Sequence, residues 1–424
     1  MIIWRLGQTT LKALVTLEDH LWRSADGCVY GHGPTGYSVW SELLDSFEEV
    51  VLLARVGNRN DLHIRENKVE GPAISVWELP DFFGPWNYLL TLPTLRSRVR
   101  AAVALCDAHL LRVPGLVGRL AWQEVRRVRK PYAAEVMSDP SDTLSPGTMS
   151  SPFRSLYRAV ATQDLKVICG EAFATVYWSG GKMHQRYPPA NNAYACVAPR
   201  IFLNVGYASS AHMAERFRIV DSGNGLSKPG AVVRRIGFIG SLAQLYKGPD
   251  LLLRAAALCR SRGREFEIVM IGDGRYAEQM KALAGRLGVD DRTQFIPRLP
   301  FGKAVFDFLD TVDLFVMPSR AEGLPRALVE AMARGCPCIG CDVGGIPELL
   351  AAEDLVPVND HKALARKIME VTADPRRMKA MSERNLAKAK QFDPEALRDV
   401  RRAFYQYVRD HSVNNAKSER QECL

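Results

Sequence analysis

The chain of 424 residues lacks the features that mark several classes of protein. No apolar run approaches the ~18 residues that a membrane-spanning helix needs. The opening MIIWRLGQTT has neither the long apolar core nor the cleavage site of a secretory signal. Nine cysteines are few and odd in number, which argues against a disulfide scaffold. These absences favour a soluble, cytoplasmic protein of two or three globular domains.

Three of the cysteines, Cys336, Cys338 and Cys341, cluster in the segment GCPCIGC. Thiolates bind zinc, so a metal site is one interpretation. No fourth Cys or His follows at ligand spacing, and the segment is typical of a buried strand after a helix. We therefore predict core thiols and no metal site.

Positive charge is in excess, at +9, and is concentrated between Arg96 and Lys130, where eight Arg and one Lys accompany one Asp and one Glu. Nucleic acid, anionic lipid and phosphorylated small molecules are possible partners of such a segment. A solvated basic face explains the concentration of charge equally well. Within it, residues 119–130 (RLAWQEVRRVRK) place Trp122 and Val125 among basic side chains. This pattern predicts either a wedge for an anionic membrane surface or a plain helix between two strands.

The second half of the chain alternates short apolar runs with stretches of helical period. That alternation, with Gly, Pro and Asp in the short loops, predicts parallel βαβ units. Strands are expected at 236–239, 266–271, 293–296, 314–317, 337–340 and 355–358, with helices at 247–262, 275–287, 302–311, 324–334 and 361–373.

The first half shows the same rhythm less clearly, with strands expected at 13–17, 49–55, 73–79, 108–113, 133–137 and 167–170. We therefore predict an α/β protein of two Rossmann-like, doubly wound domains that face each other across a ligand-binding cleft. The predicted limits are 1–190 for the first domain, 191–233 for a linker, 234–392 for the second domain, 393–412 for a helix that caps the second domain or crosses to the first, and 413–424 for a frayed tail.

Two turns of the second half present groups that suit phosphate. In GSLAQLYKG, Gly240 permits close backbone approach, Ser241 offers a hydroxyl, and Lys247 places a charge at a helix N-terminus. Gly272 and Gly274 belong to a Gly-Asp-Gly turn at a strand end, which is not the fingerprint of a dinucleotide site. Each turn alone is equally consistent with an ordinary loop.

The segment 318–335 (PSRAEGLPRALVEAMARG) carries two carboxylates eight residues apart. Glu322 precedes Gly323 and Leu324 in a predicted loop, and Glu330 lies on an Ala-rich helix. A carboxylate on an apolar helix is costly unless hydroxyls or a cation meet it. Sugar and ribose hydroxyls are suitable donors, while the alternative is a surface Glu on the solvent side of the helix.

Taken in order, these segments resemble the donor-binding domain of the group-1, or family 4, glycosyltransferases, whose fold is called GT-B. The residues that carry the resemblance are GSLAQLYKG, GDG, DLFVMPSR, EGLPRALVE and GGIPE. They span about residues 234–392, and the spacing of the two Glu residues is the most specific of these features. The first half resembles the family in outline only.

The resemblance implies a retaining hexosyltransferase that moves a sugar from a UDP- or GDP-sugar donor to a glycan or lipid-linked acceptor held by the first domain. It implies that Lys247 pairs with the diphosphate, that Glu330 holds the ribose hydroxyls, and that Glu322 meets hydroxyls of the donor sugar. Backbone N–H groups of Gly323 and Leu324 would face the phosphate or the sugar. No divalent metal, no nucleic acid and no further cofactor are implied. The expected role is cell-surface polysaccharide or glycolipid synthesis, with peripheral contact at the inner face of the membrane.

One departure from the family pattern concerns the diphosphate. The family has Arg where this chain has Ser241, so part of the positive charge is expected from elsewhere. Arg320 and Arg275 are the alternatives.

A second departure concerns the first domain, where the family places a His after a strand. The matching segment here, AAEVMSDP, has Glu135 and Asp139 and no His. We predict Asp139 as the polar catalytic group, with an ordinary turn-initiating Asp as the alternative. The sequence also leaves open four histidines, of which His32 in a Gly-rich loop is preferred: His20, His32, His109 and His184.

Two other functions stay open at the level of sequence. Another GT-B enzyme, such as a sugar-nucleotide epimerase or a phosphorylase, would share the nucleotide or phosphate site. A non-catalytic nucleotide- or glycan-binding protein would keep the fold, and Ser241 is the best argument for it. The set of Lys247, Glu322 and Glu330 favours the transferase.

Overall fold

The computed structural model describes residues 11–31, 35–58, 67–144, 153–201, 203, 206–221, 235–300 and 302–422. These residues fall into two compact units, each built on one sheet. The first unit runs to Met137 and continues with Ala161–Ala198 and with the chain from Arg398 onward. The second unit comprises Pro199–Leu397 together with Ser138–Val160.

The strands of the first unit are β1 (Lys12–Arg23), β2 (Val29–Tyr30), β3 (Glu49–Asn58), β4 (Ile74–Pro80), β5 (Ala108–Val113), β6 (Ala133–Val136), β7 (Ala174–Tyr177) and β8 (Tyr194–Val197). Seven of them form a parallel sheet in the order β4-β3-β1-β5-β6-β7-β8, and β2 pairs antiparallel with β1. The strand order reverses between β1 and β5, as in a doubly wound fold.

The strands of the second unit are β9 (Arg235–Ile239), β10 (Glu267–Ile271), β11 (Thr293–Ile296), β12 (Leu314–Met317), β13 (Cys338–Cys341) and β14 (Leu355–Val356). They form a parallel sheet in the order β11-β10-β9-β12-β13-β14. The order reverses between β9 and β12. Every side chain of β12 and β13 is buried, because helices cover both faces of this sheet.

The helices connect these strands along the chain. In order they are α1 (Tyr37–Trp40), α2 (Gly84–Leu105), α3 (Leu116–Arg127), α4 (Pro140–Thr143), α5 (Arg154–Glu171), α6 (Gly181–Arg186), α7 (Ser210–Asp221), α8 (Pro249–Arg260), α9 (Ala277–Leu287), α10 (Lys303–Asp310), α11 (Arg326–Ala333), α12 (Ile346–Leu349), α13 (His361–Thr372), α14 (Pro375–Ala389) and α15 (Pro394–Glu422). Among the described residues, no helix is long and apolar enough to cross a membrane.

The predicted α/β architecture of two doubly wound sheets is confirmed, and one predicted strand is wrong. Residues 167–170 are the last turn of α5, where Leu165, Ile168 and Cys169 are buried on one side of the helix. A short apolar run does not distinguish a buried strand from a buried helical turn. The strand belongs instead to β7, a few residues later.

The structure also differs from the predicted linker and tail. Within 191–233, β8 joins the first sheet and α7 forms in the second unit, while residues 222–233 lie outside the described part of the chain. The predicted tail 413–424 continues α15 as far as Glu422. β8 is only four residues long and lies in a stretch rich in Pro and Asn, and the apolar residues of α7 alternate with charged ones, so neither element stood out from its surroundings.

Of the two interpretations of 119–130, the structure supports the helix between two strands and contradicts the apolar wedge. Trp122 and Val125 lie on the buried side of α3 and pack into the core of the first unit, so neither is available to enter a membrane. Arg126 pairs with Glu171 at 3.0 Å, and Arg119 and Arg127 have acidic partners as well. The segment is the amphipathic helix between β5 and β6.

The three clustered cysteines are buried core residues, as predicted. Cys336, Cys338 and Cys341 contribute to the hydrophobic core around β13. Burial raises the pKa of the Cys341 thiol to about 12.

Candidate active site

The predicted donor-binding residues gather at the carboxyl ends of β9, β10 and β12. These three strands are neighbours at the point where the strand order of the second sheet reverses, which is where doubly wound sheets bind ligands. Gly240 follows β9, Gly272 follows β10, and the loop with Ser319 and Glu322 follows β12.

Lys247 and Glu322 form an ion pair at this position. Nζ of Lys247 donates to both carboxylate oxygens of Glu322, at 2.7 and 2.8 Å, and Oγ of Ser319 donates to Oε1 at 2.6 Å. The side chain of Lys247 is largely buried and that of Glu322 almost wholly so. Burial by itself lowers the pKa of Lys247, but the negative charge of Glu322 outweighs it, so the pKa lies above its ordinary value. The site therefore contains a fixed ammonium group at neutral pH.

The turn that carries Lys247 requires glycine at its end and is closely packed at its beginning. Gly248 has φ 71°, and a Cβ there would lie 2.0 Å from the carbonyl oxygen of Pro318. A Cβ on Gly240 would lie 3.2 Å from the side chain of Lys247 and 2.9 Å from the ring of Phe238. The close packing of these turns sets where the lysine side chain begins.

The Gly-Asp-Gly turn is packed directly against the first turn. Gly272 and Gly274 have φ of 152° and 143°, and added Cβ atoms would lie 1.9 Å from the Gly240 oxygen and 2.1 Å from the Ala243 nitrogen. The amide of Leu242 also donates to the oxygen of Asp273 at 2.8 Å. The two glycines thus support the backbone around Ser241.

The loop after β12 presents unused amide groups. The amide of Gly345 donates to the carbonyl of Gly323 at 2.8 Å. Gly344 packs so closely that an added Cβ would lie 2.0 Å from the backbone carbonyl oxygen of Glu322. Within the described residues, the amides of Gly323 and Leu324 donate to no acceptor. Two backbone donors beside a buried ammonium form a site for an anion or for sugar oxygens.

Glu330 is a buried carboxylate on α11, 7% exposed. No group in the described part of the chain forms a hydrogen bond to it. Burial raises its pKa to about 7, although the charge of Arg326, one turn earlier, acts in the opposite direction. A buried carboxylate with a raised pKa and no hydrogen-bond donor from the described residues is a candidate for binding the hydroxyl groups of a ligand.

The two arginines considered as replacements for the family Arg differ in availability. Arg320 is held by both oxygens of Asp250, at 2.8 and 2.7 Å, and by Asn359, so it is engaged within the protein. Arg275 is exposed and lies over the ring of Tyr276. Ser241 uses its hydroxyl to accept from Ala243 at 3.2 Å. Arg275 is therefore the more available replacement for the family Arg.

Arg326 is a cation that the sequence reasoning missed. It begins α11, and its charge lowers the pKa of both Glu330 and Lys247, which places it electrostatically near each. The signal was present, since Arg326 stands between the two glutamates on the first turn of the helix.

Asp139 is buried and caps α4. Its Oδ1 accepts from the amide of Ser141 at 2.7 Å, which is the turn-initiating role given above as the alternative. A catalytic role for Asp139 stays a prediction.

Of the four histidines that the sequence left open, the three that the structure describes have partners within the protein. His109 is buried in β5 beside the Val103 oxygen, and burial lowers its pKa to about 4. His184 stacks on Tyr177. His20 pairs with Asp81 at 2.9 Å. His32 lies outside the described residues.

A buried arginine in the first unit was also missed. Arg112, on β5, lies between the rings of Trp40 and Trp178, at 5.2 and 5.4 Å, with Oε2 of Glu135 at 3.4 Å. Trp178 Nε1 donates to the same carboxylate at 2.8 Å. An Arg inside the apolar strand AHLLRV was the available signal, because such a residue is costly without partners.

Comparison with solved structures identifies the fold. Sucrose-phosphate synthase from Thermosynechococcus elongatus superimposes with a TM-score of 0.68 over 94% of this chain and 99% of that chain, at 17% identity. HepE from Anabaena, solved in complex with UDP and glucose, superimposes with a TM-score of 0.60 over 92% and 97%, at 18% identity. The two α/β units are those of a GT-B protein.

Comparison with protein families then gives a match for the second unit. Residues 233–388 match the family model described as Glycosyl transferases group 1. The protein CapJ of Staphylococcus aureus is 22% identical over 78% of this chain and 79% of its own length. The colanic acid biosynthesis glycosyltransferase WcaL of Escherichia coli, a putative assignment, is 32% identical over 29% of this chain and 32% of its own length. The second unit therefore matches the group-1 glycosyltransferase family, in the region where the motifs predicted it.

Proposed function

We propose that the protein is a retaining glycosyltransferase that moves a hexosyl group from a nucleotide-diphosphate sugar, a UDP- or GDP-sugar, to a glycan or lipid-linked acceptor. The observation that carries the proposal is the buried Glu330 carboxylate, which accepts no hydrogen bond from the described residues and lies on the helix that follows the Lys247–Glu322 pair. Ribose hydroxyls supply the donors that Glu330 lacks, and the ammonium and loop amides suit a diphosphate.

The chemistry needs stabilisation of charge on the leaving diphosphate. As the bond from the sugar to the diphosphate lengthens, positive charge develops on the sugar and negative charge on the phosphate oxygens. Lys247 and the amides of Gly323 and Leu324 are already oriented, so they stabilise that negative charge without reorganisation. Glu322 orients Lys247 and accepts from hydroxyls of the donor sugar.

The acceptor is assigned by class only. The WcaL relative is named for the synthesis of a polysaccharide, colanic acid, which supports a role in cell-surface polysaccharide or glycolipid assembly. In this proposal the first unit holds the acceptor, and the enzyme works in the cytoplasm at the inner face of the membrane.

A panel of UDP-, GDP- and ADP-sugars tests the proposal, first by thermal shift and then by release of the nucleoside diphosphate. We expect one donor class to raise Tm in the wild type, and to do so much less in Glu330→Gln. Release of nucleotide should increase when an acceptor extract is added. Binding without turnover would identify a non-catalytic binding protein, and no shift with any nucleotide would contradict the proposal.

A further inference from the structure

Helix α2 exposes large apolar side chains in its first turns. Trp86 is 77% exposed and Leu90 is 80% exposed, and Phe83 and Leu89 beside them are also exposed. Exposed single hydrophobic residues are ordinary, but a cluster of four that includes Phe and Trp marks an interaction surface. We call these four residues the α2 face.

The α2 face is separate from the side of the helix that packs on the sheet. Leu95, Val99 and Ala102 are buried in the core of the first unit at helical spacing. Trp86 and Leu90, one turn apart, point away from that core. The exposed residues are therefore not needed to hold the helix in place.

The same helix is positively charged along its exposed side. Arg96, Arg98 and Arg100 follow the α2 face, and Gly84–Leu105 contains no acidic residue. Arg96 is exposed and meets no acidic side chain among the described residues, whereas Arg100 lies 3.4 Å from Glu124. The surface thus joins an apolar end to a basic end on one helix.

We propose that the α2 face docks on an anionic lipid bilayer. Trp and Phe prefer the boundary between the headgroups and the acyl chains, and arginines next to them interact with acidic headgroups. A second copy of the chain is a poorer occupant, because in an isologous contact each copy offers the other the same positively charged surface and no acidic partner for its arginines. Charge complementarity therefore selects the membrane.

The position of the α2 face connects docking to the acceptor. Phe83 stacks on His20 at 4.9 Å, and His20 pairs with Asp81 just after β4, so the face begins at the carboxyl edge of the first sheet. This part of the inference rests on the proposed function, in which the first unit holds the acceptor. Docking at this edge would present the unit to an acceptor carried by a lipid.

Vesicle flotation of the full chain tests the proposal. Vesicles of phosphatidylglycerol and phosphatidylethanolamine should bind the wild type at low salt, and phosphatidylcholine vesicles should bind it much less. Trp86→Ser with Leu90→Ser should lower the partition coefficient at least about tenfold, because two apolar side chains no longer leave water. Arg96→Ser should weaken binding to the anionic vesicles only, and added salt should remove that difference.

Two control variants locate the contact. Arg126→Ser removes the same charge from α3 and should bind nearly as the wild type does. Trp86→Phe keeps an apolar ring, so it should still float, but the blue shift of tryptophan fluorescence on binding should be lost if Trp86 enters the lipid. Nucleotide-induced thermal shifts should be unchanged in all these variants, which separates this proposal from the donor site.

Three results would overturn the proposal. The first is that the wild type ignores anionic vesicles at low salt. The second is that the Trp86→Ser, Leu90→Ser variant floats like the wild type. The third is that light scattering finds a wild-type oligomer that these two substitutions dissociate, since a second copy would then be the occupant.

Discussion

At the scale of single residues, Glu330 makes stability depend on pH. Its pKa in the folded chain is raised by burial to about 7 from an ordinary 4.5, so the folded state binds this proton more tightly than the unfolded state. The free energy of unfolding should therefore be unaffected below about pH 4.5 and should fall as pH rises through 7.

The variant Glu330→Gln tests this dependence, because an amide carries no charge to bury. At pH 8 we predict that the variant has a higher free energy of unfolding than the wild type, by roughly 1–3 kcal/mol, and a correspondingly higher Tm. At pH 4.5 the two proteins should have similar free energies of unfolding. Denaturation at both pH values measures it. A variant less stable than the wild type at pH 8 would mean that the attraction between Glu330 and Arg326 outweighs the cost of burying the carboxylate, which contradicts this prediction.

Lys247 and Glu322 should show different effects on stability and on turnover. Lys247→Ala leaves a buried negative charge with Ser319 alone, so it should lower the free energy of unfolding by roughly 3–5 kcal/mol and also lower kcat. Adding Glu322→Gln should restore much of the stability, because the uncompensated charge is removed, but not the turnover. Recovery of both would show that Lys247 is only structural.

At the scale of elements, the turn before α8 should depend on the absence of a side chain. Gly248→Ala combines a left-handed φ with a contact of 2.0 Å to the Pro318 oxygen, so the turn with Lys247 must move. Gly288, which ends α9, also has a left-handed φ but open space around it. We predict that Gly288→Ala costs roughly 1–2 kcal/mol, while Gly248→Ala costs more and also weakens nucleotide binding. Equal costs and unchanged binding would contradict the packing described here.

The sequence predicted the second unit closely for a physical reason. Its strands are apolar on both faces and are separated by short loops, so pattern and turn chemistry agree; β11 and β12 lie where they were expected. In the first unit, the end of α5 resembled a strand, and β8 is a run of four residues that follows a segment rich in Pro and Asn. Local pattern fails where an element is short and its partner lies far along the chain.

The candidate site was predictable in identity but not in state. Motif spacing selected Lys247, Glu322 and Glu330. It gave no sign that the first two form an ion pair at 2.7 Å, or that the third accepts no hydrogen bond from the described residues. Both facts depend on neighbours from distant parts of the chain. For the same reason the sequence left open whether Trp122 lies on a surface, and the structure places it in the core.

At the scale of the whole molecule, activity should not depend on a divalent metal. The positive charge that the diphosphate needs is assigned to Lys247, to loop amides and to a helix N-terminus. We predict that EDTA leaves turnover essentially unchanged. Complete loss of activity that Mg²⁺ or Mn²⁺ restores would point to a metal-dependent mechanism instead.

Recognition of the ribose by Glu330 is the central claim, and calorimetry of nucleotide binding tests it most directly. The wild type and Glu330→Gln would each be titrated with the preferred nucleoside diphosphate and with its 2′,3′-dideoxy analogue. We predict that the wild type loses roughly 1–3 kcal/mol with the analogue, that Glu330→Gln loses a similar amount with the normal nucleotide, and that the variant barely distinguishes the two ligands. If the variant still discriminates as strongly as the wild type, Glu330 does not hold the ribose and the account is wrong.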